Sequence, residues 1–265
     1  MLICVDIGNT NTKFGVFDGS PDALVCSFSI STTNKRTSDE YALLIKQLLL
    51  DNSVCAMPDC FCISSVVPSV TSDISAALYK ICNNDPFIIS TGTRTGYPIR
   101  IDVQSQLGAD IVSNTAAALN IVKPPFVVVD VGTATTVTAV DSDGALIGTV
   151  IAPGASISVD ALNNSAALLT EIPFNKPDTV IGKNSQDSIR SGAFYGHVYM
   201  IDGFVRQIRE EICKNGEKLG LVGTGGLASK LLPSCRNKFI IDPYLTLKGA
   251  ASLFYLNTMS RNYTK

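Results

Sequence analysis

The chain opens on Leu2-Ile3-Cys4-Val5, an apolar run that breaks at Asp6 into Ile7-Gly8-Asn9-Thr10-Asn11-Thr12-Lys13. The apolar part reads as a buried strand. A carboxylate at a strand end can hold a hydrated Mg²⁺. A glycine lets backbone N–H groups approach a phosphate, and Asn, Thr and Lys add donors. Taken alone, the stretch is explained equally well as a tight β-turn between Ile7 and Phe14, with Asn and Gly supplying positive φ.

Repetition shifts the balance. Phe126-Val127-Val128-Val129-Asp130-Val131-Gly132-Thr133-Ala134-Thr135-Thr136 has the same grammar, with its aspartate 124 residues after Asp6. The sequel repeats too. Phe14 to Phe17, Asp18-Gly19 and Leu24 to Ile30 are echoed by Val137 to Val140, Asp143-Gly144 and Ala145 to Ile151. Each copy reads as a three-stranded meander with a turn between its second and third strands. Two halves that each open on an acidic, glycine-containing turn suggest a nucleotide held between two domains.

A chain of 265 residues suits two domains of about 100–150 residues. Alternating strands and helices after each meander argue for α/β layers. In the first half, Thr37 and Glu40 are spaced as a capping box, and Tyr41, Leu44, Ile45, Leu48 and Leu49 form one helical face. Cys60 to Val67 reads as a strand. Pro68 opens a helix carrying Val70, Ile74, Leu78 and Ile81, and Phe87-Ile88-Ile89 is a further strand. Thr91 to Gln106 reads mostly as loop and Ile111 to Ile121 as a helix, which makes Asp110 a candidate N-cap. Lys123-Pro124-Pro125 is the expected boundary, giving domains 1–123 and 124–265. Beyond the second meander, helices are expected over Ser156 to Leu169, from Ser185, over about Gly196 to Cys213 and over Thr246 to Leu256. Leu169 to Ile181 reads as irregular and Lys218 to Val222 as a strand ending on Gly223-Thr224-Gly225-Gly226. Gly182-Lys183-Asn184-Ser185 is not a Walker loop, because Pro177 stands where that motif needs its first glycine.

A net charge of −2 gives no basic footprint for nucleic acid. No apolar run reaches the roughly 18 residues of a membrane span, and Asp6 interrupts the N-terminal apolar run, so neither a membrane anchor nor a secretory signal is expected. These features point to the cytoplasm. The eight cysteines include no C-x-x-C pair and read as buried free thiols. His197, the sole histidine, reads as packed or exposed rather than catalytic.

The two acidic turns resemble the phosphate motifs of the acetate and sugar kinase/Hsp70/actin superfamily, and within it the chain resembles type III pantothenate kinases. The likeness extends to Gly108-Ala109-Asp110, Ala152-Pro153-Gly154, Gly182-Lys183-Asn184-Ser185, Ser191-Gly192 to Gly203 and Thr224-Gly225-Gly226-Leu227-Ala228. It implies two ribonuclease-H-like domains in the actin-like ATPase duplication. It also implies ATP-dependent phosphorylation of pantothenate to 4′-phosphopantothenate, the first step toward coenzyme A, by a homodimer. In that pattern Asp6, Ile7, Gly8, Asn9, Thr10, Asn11, Thr12 and Lys13 wrap the ATP phosphates, with Asp6 near Mg²⁺. Thr133 faces the phosphates, Asp130 holds an activating K⁺ or ammonium, and Gly225 lies in the adenosine-binding turn. Asp110 is the general base, accompanied on the acceptor side by Ile101, Gly108, Ala109 and Ile111, with Ser185 arriving from the second subunit.

The chain departs from the family pattern at four places on the acceptor side. Ile111 stands for an arginine, Ile101 for a tyrosine, Val103-Gln104 for Asn-Pro and Ser185 for a threonine. A charged donor and a phenol are thereby lost. The alternatives are a kinase of another small hydroxyl compound and a nucleotide-binding regulatory protein without turnover. Retention of Asp6, Asp110 and Asp130 argues against the latter.

Overall fold

The computed structural model describes residues 1–54, 56–165, 174–214 and 216–258. They form two compact units. One takes in Met1–Tyr97, Asp102–Ala118 and the stretch from Tyr244; the other takes in Pro98–Ile101 and Leu119–Pro243.

The first unit begins with the meander β1 (Leu2–Ile7), β2 (Asn11–Phe17) and β3 (Leu24–Ser31). Helix α1 (Ser38–Asp51), β4 (Cys60–Ser65), α2 (Pro68–Cys82) and β5 (Phe87–Ile88) follow, and the sheet order is β3-β2-β1-β4-β5. β1 pairs antiparallel with β2 and parallel with β4. Both faces of β1 are covered, which is why its sequence is nearly continuous apolar rather than alternating. Ile3, Val5 and Ile7 pack with Tyr41, Ile45 and Leu49 of α1 and with Ile74 and Leu78 of α2. Leu2 and Cys4 turn the other way, toward Val112 and Ala116. The capping box at α1 forms as the spacing predicts. The Thr37 hydroxyl accepts from Glu40 N–H at 3.3 Å, and Glu40 accepts from Thr37 N–H at 2.7 Å. Such a cap is worth about 1 kcal/mol.

Helix α3 (Ala109–Ala118) starts two residues earlier and stops three residues sooner than the expected Ile111 to Ile121. Asp110 is therefore inside the first turn and is not the N-cap. Its carboxylate accepts from the adjacent Ile111 N–H at 2.8 Å rather than from the N–H two or three residues on. A short 3₁₀ turn at Gln104–Gln106 precedes the helix.

The second unit repeats the plan with β6 (Phe126–Val131), β7 (Ala134–Val140) and β8 (Leu146–Pro153). Then come α4 (Ala155–Ser165), α5 (Ser185–Ile212), β9 (Gly220–Thr224), α6 (Ala228–Leu231) and β10 (Ile240–Ile241), with sheet order β10-β9-β6-β7-β8. The duplication holds strand for strand. β1 and β6 have 6 residues, β2 and β7 have 7, and β3 and β8 have 8. Even the bulge recurs, at Val16/Phe17 and at Ala139/Val140.

The two helices expected at Ser185 and at Gly196 to Cys213 are one continuous α5. Phe194, Val198, Ile201, Val205 and Ile208 are buried along it, and that packing outweighs the low helix propensity of Gly192, Gly196 and Gly203. β10 carries too short an apolar signal to be expected. The far end of the helix expected to reach Leu169, the first part of the irregular stretch after it, and Cys55 lie outside the described residues. The seven described cysteines are free thiols, of which Cys4 and Cys62 are fully buried and the rest partly so. His197 is packed, its Nδ1 2.8 Å from Ala193 O and its Nε2 3.1 Å from Pro153 O.

The last described element is α7 (Leu245–Thr258), which belongs to the first unit rather than to the half nearest in sequence. The reason is apolar. Leu247, Ala250, Ala251 and Leu253 join Leu2, Cys4, Cys62 and Val112 in one core. A Cβ at Gly249 would lie 1.8 Å from the Ser113 carbonyl oxygen, so α7 meets α3 with no room for any side chain there. Gly249→Ala is expected to destabilise the protein by roughly 2 kcal/mol or more, as overpacked cores do. Gly203→Ala on α5, where a Cβ would meet nothing within 4 Å, should stabilise it by about 0.5–1 kcal/mol. Denaturant melts of the two variants check both signs, and equal effects would refute the close α3–α7 contact.

Candidate active site

Asp6 is half-buried between the fully buried Val5 and Ile7 of β1, with Lys13 as its antiparallel neighbour on β2 and Ser64 as its parallel neighbour on β4. The turn beyond it closes on Gly8 N–H, which donates to Asn11 O at 3.1 Å. Thr32 fastens this turn from outside. Its N–H donates to Thr10 O at 3.0 Å, its hydroxyl donates to Gly8 O at 2.7 Å, and it lies 2.9 Å from the Thr12 hydroxyl. Thr12 therefore spends its hydroxyl inside the protein, and Ile7 belongs to the core. Asn9, Thr10 and Asn11 stand exposed at the tip, and Lys13 is half-buried.

The second turn is one residue shorter. Gly132 and Thr133 alone separate β6 from β7, against Gly8, Asn9 and Thr10 between β1 and β2. Gly132 N–H donates to Ala134 O at 3.0 Å, and Gly154 N–H donates to Thr133 O at 3.1 Å. Gly154 occupies the place that Thr32 has in the first copy, and a Cβ there would sit 2.1 Å from Thr133 O. Thr133 is exposed and Asp130 half-buried, with Thr136 and Thr224 as its neighbours on β7 and β9. Gly225 takes φ of 98°, and a Cβ on it would lie 2.4 Å from Asp130 Oδ1. The glycine-rich turn is thus pressed against the second strand-end acid, a contact that only glycine permits.

Gly108 stands just before α3, and Ala109 and Asp110 open it. A Cβ on Gly108 would lie 2.2 Å from Asp110 Oδ1 and 3.6 Å from Val66 Cγ1. Asp110 is half-buried, and burial raises its carboxyl above the usual carboxylate range, opposed in part by the hydrogen bonds from Ile111 N–H and its own N–H. Ile111 is only 6% exposed, so its side chain is buried. Ile101 is half-buried in the second unit. Arg100, the cation nearest to it in sequence, is held by Asp141 at 2.9 Å and Asp143 at 3.0 Å. Ser185 is exposed at the first position of α5, behind the Asn184 cap.

Thr32 and Ser64 were missed by reading the sequence. Both carry a faint signal, since each is a hydroxyl residue at the end of an apolar strand, as the residues after Asp6 and Asp130 are.

Two sheets of one strand order, each ending on an acid, a glycine and hydroxyl side chains, define the actin-like ATPase class of fold. The fold is shared with the activator of the 2-hydroxyisocaproyl-CoA dehydratase from Clostridium difficile with bound ADPNP, at a TM-score of 0.55 and 11% identity over 100% of this chain and 98% of that one. The chain belongs to the type III pantothenate kinase family, whose model matches residues 2–207. It is 36% identical to the type III pantothenate kinase of Thermobifida fusca (strain YX) over 260 residues, 97% of this chain and 100% of that one. It is 38% identical to that of Frankia alni over 258 residues, 97% and 100%.

Because its carboxyl is raised by burial, Asp110 favours folding most when protonated, below the usual carboxylate range, and that contribution is lost as pH rises through its folded pKa. Asparagine has no charge to desolvate. Asp110→Asn is therefore expected to melt at a higher temperature than the wild type at pH 7, with the gap closing as pH is lowered toward the usual carboxylate range. Thermal melts across pH decide it, and a lower Tm for the variant at pH 7 would contradict the burial argument.

Proposed function

We infer that the chain transfers the γ-phosphoryl group of ATP to the hydroxyl of pantothenate, giving 4′-phosphopantothenate and ADP as the first step toward coenzyme A. The observation that carries this is the full-length family match in a chain that keeps Asp6, Asp110 and Asp130, each at the start or end of an ordered element. Phosphoryl transfer asks a protein mostly for positioning and charge neutralisation, and small carboxylates on rigid elements provide both.

Asp110 is the base. The acceptor hydroxyl gives its proton to this carboxylate as its oxygen forms the new bond to the γ-phosphorus and the bond to the β,γ-bridging oxygen breaks. Burial suits the part, because a carboxyl raised above its usual range holds the proton better during attack. Gly108 leaves the carboxylate its position. Asn9, Thr10, Asn11 and the backbone of the first turn bind phosphate oxygens, and Lys13 adds a cation. Thr133 does the same from the second turn, and Gly225 accommodates the adenosine. On the acceptor side, Ala109 and Ile111 supply backbone and apolar contact from α3, and Ile101 adds a further apolar side chain.

Among the described residues no three His, Cys, Asp or Glu side chains converge as a metal cage. Mg²⁺ takes one or two carboxylates and completes its shell with water and substrate phosphates. Asp6, at a strand end with a hydroxyl beside it, has the donors for this part, and a bound Mg²⁺ neutralises charge on the phosphates. Asp130, half-buried near the end of the second buried strand, is the acid proposed to hold K⁺ or ammonium.

A homodimer is the proposed assembly. Ile151 is 67% exposed, Val180 51% and Ile181 80%, and Ser185 stands four residues beyond the last of these, open to a neighbouring subunit. Apolar exposure of this kind favours burial against a second copy. No helix among the described residues is long and apolar enough to cross a membrane. The proposed compartment is the cytoplasm, whose reducing conditions suit the free thiols.

ADP release with and without pantothenate, in potassium and in sodium buffers, tests the activity. Release should require pantothenate and run faster in potassium. Asp110→Asn and Gly108→Ala should each lower kcat by about a hundredfold with the fold retained, within the usual range for a general base. Acceptor-independent release, or normal turnover in folded Asp110→Asn, would refute the assignment. For the assembly, Ile181→Asp should convert a dimeric mass by light scattering to a monomeric one with reduced pantothenate phosphorylation. A wild type that is monomeric and fully active would rule the shared site out.

A further inference from the structure

Four buried side-chain polar atoms among the described residues have no hydrogen-bond partner: Ser64 Oγ, Ser75 Oγ, Thr135 Oγ1 and Arg190 Nε. Ser64 stands apart from the others in its register. It is 0% exposed and is the parallel partner of Asp6 at the carboxyl edge of the first sheet. Residues paired in this way point to the same face. Two residues further along the chain, Val66 lies 3.6 Å from where a Cβ of Gly108 would be, so the end of β4 runs beside the start of α3. The Ser64 hydroxyl therefore occupies the edge between the acid of the first turn and the segment that carries Asp110. The second sheet repeats the arrangement, with buried Thr224 paired to Asp130.

A buried hydroxyl without a partner is desolvated with no bond in return, so such groups are normally satisfied by ordered water or ligand. We propose that Ser64 is a positioning residue. Its hydroxyl holds an ordered water against the Asp6 carboxylate and thereby fixes the angle at which that carboxylate meets the magnesium ion carried by ATP. The inference rests on Asp6 being the metal-facing acid. Groups that orient a ligand in this manner typically change metal affinity by about 10–100-fold when removed.

The test uses Mn²⁺ as a paramagnetic probe. Binding of Mn²⁺·ATP is followed by electron paramagnetic resonance, and binding of metal-free ATP by calorimetry, on the wild type and on Ser64→Ala, Ser64→Thr and Asp6→Asn. Ser64→Ala should weaken Mn²⁺·ATP about tenfold, leave metal-free ATP unchanged and not lower Tm, since no protein hydrogen bond is lost. Ser64→Thr keeps the hydroxyl and should behave as wild type. If Asp6→Asn weakens Mn²⁺·ATP and Ser64→Ala does not, the inference fails while the role of Asp6 stands. If neither variant changes Mn²⁺·ATP binding, the role of Asp6 fails first and takes the inference with it. Equal weakening of both nucleotide forms by Ser64→Ala, or a Ser64→Ala that does not fold, would overturn it as well, because either result gives the hydroxyl a structural rather than a metal-directed part.

Discussion

Parallel pairing of two strands in each sheet, β1 with β4 and β6 with β9, is the constraint from which the rest of the site follows. Helices cover both faces of these strands in the first unit, so residues along them must be apolar until the sheet ends. Asp6 and Asp130 are the first polar residues on their strands, and both are half-buried where their neighbours are fully buried. Parallel neighbours bring their carboxyl ends to the same edge, which is where ligands bind in sheets of this kind. The pairing thus decides which second side chain stands beside each acid. That side chain is Ser64 in one sheet and Thr224 in the other.

The two copies keep their strands and differ in how the acidic turn is fastened. In the first, Thr32 uses both its backbone and its hydroxyl to hold a turn of three residues. In the second, Gly154 takes the corresponding place and holds a turn of two residues by backbone contact alone. Removing the hydroxyl at 154 is the price of bringing that backbone so close to Thr133 O. The longer turn presents three exposed polar residues and the shorter one presents Thr133. A single strand plan therefore yields one turn rich in side-chain donors and one dominated by backbone.

Much of this was legible in the sequence because the informative signals are local. The acid-x-glycine-hydroxyl pattern repeats, Thr37 and Glu40 lie three residues apart, and Pro68 marks a helix start, as found. What escaped depends on contacts between residues distant in the chain. Thr32 is a polar residue after a strand until its hydroxyl is seen on Gly8 O. Helix α7 groups with the first unit because its apolar face matches Leu2, Cys4 and Cys62, a complementarity with no footprint in its own periodicity. Asp110 reads as an N-cap because the expected helix begins at Ile111. The helix instead starts two residues sooner, at Ala109, which places Asp110 in its first turn.

Close backbone approach sets the position of Asp110, of Asp130 and of the second turn at Thr133. The ion pairs of Asp59, Asp39, Arg100 and Asp187 each involve at least one exposed side chain, and such pairs contribute about 0–1 kcal/mol each. Glycines 108, 154 and 225, by contrast, each put backbone where a Cβ would fall within 2.4 Å of an oxygen, on Asp110, on Thr133 and on Asp130 respectively. An ion pair could be traded for another at small cost. A missing Cβ cannot, because any side chain at these positions displaces the oxygen it faces. Two of those oxygens belong to Asp110 and Asp130, so the glycines fix where these two carboxylates stand. The same logic explains why Ile111 need not be equivalent to the arginine of the family pattern. Its side chain is buried at 6% exposure and its backbone N–H is already held by Asp110, so the position offers no counterpart to a guanidinium.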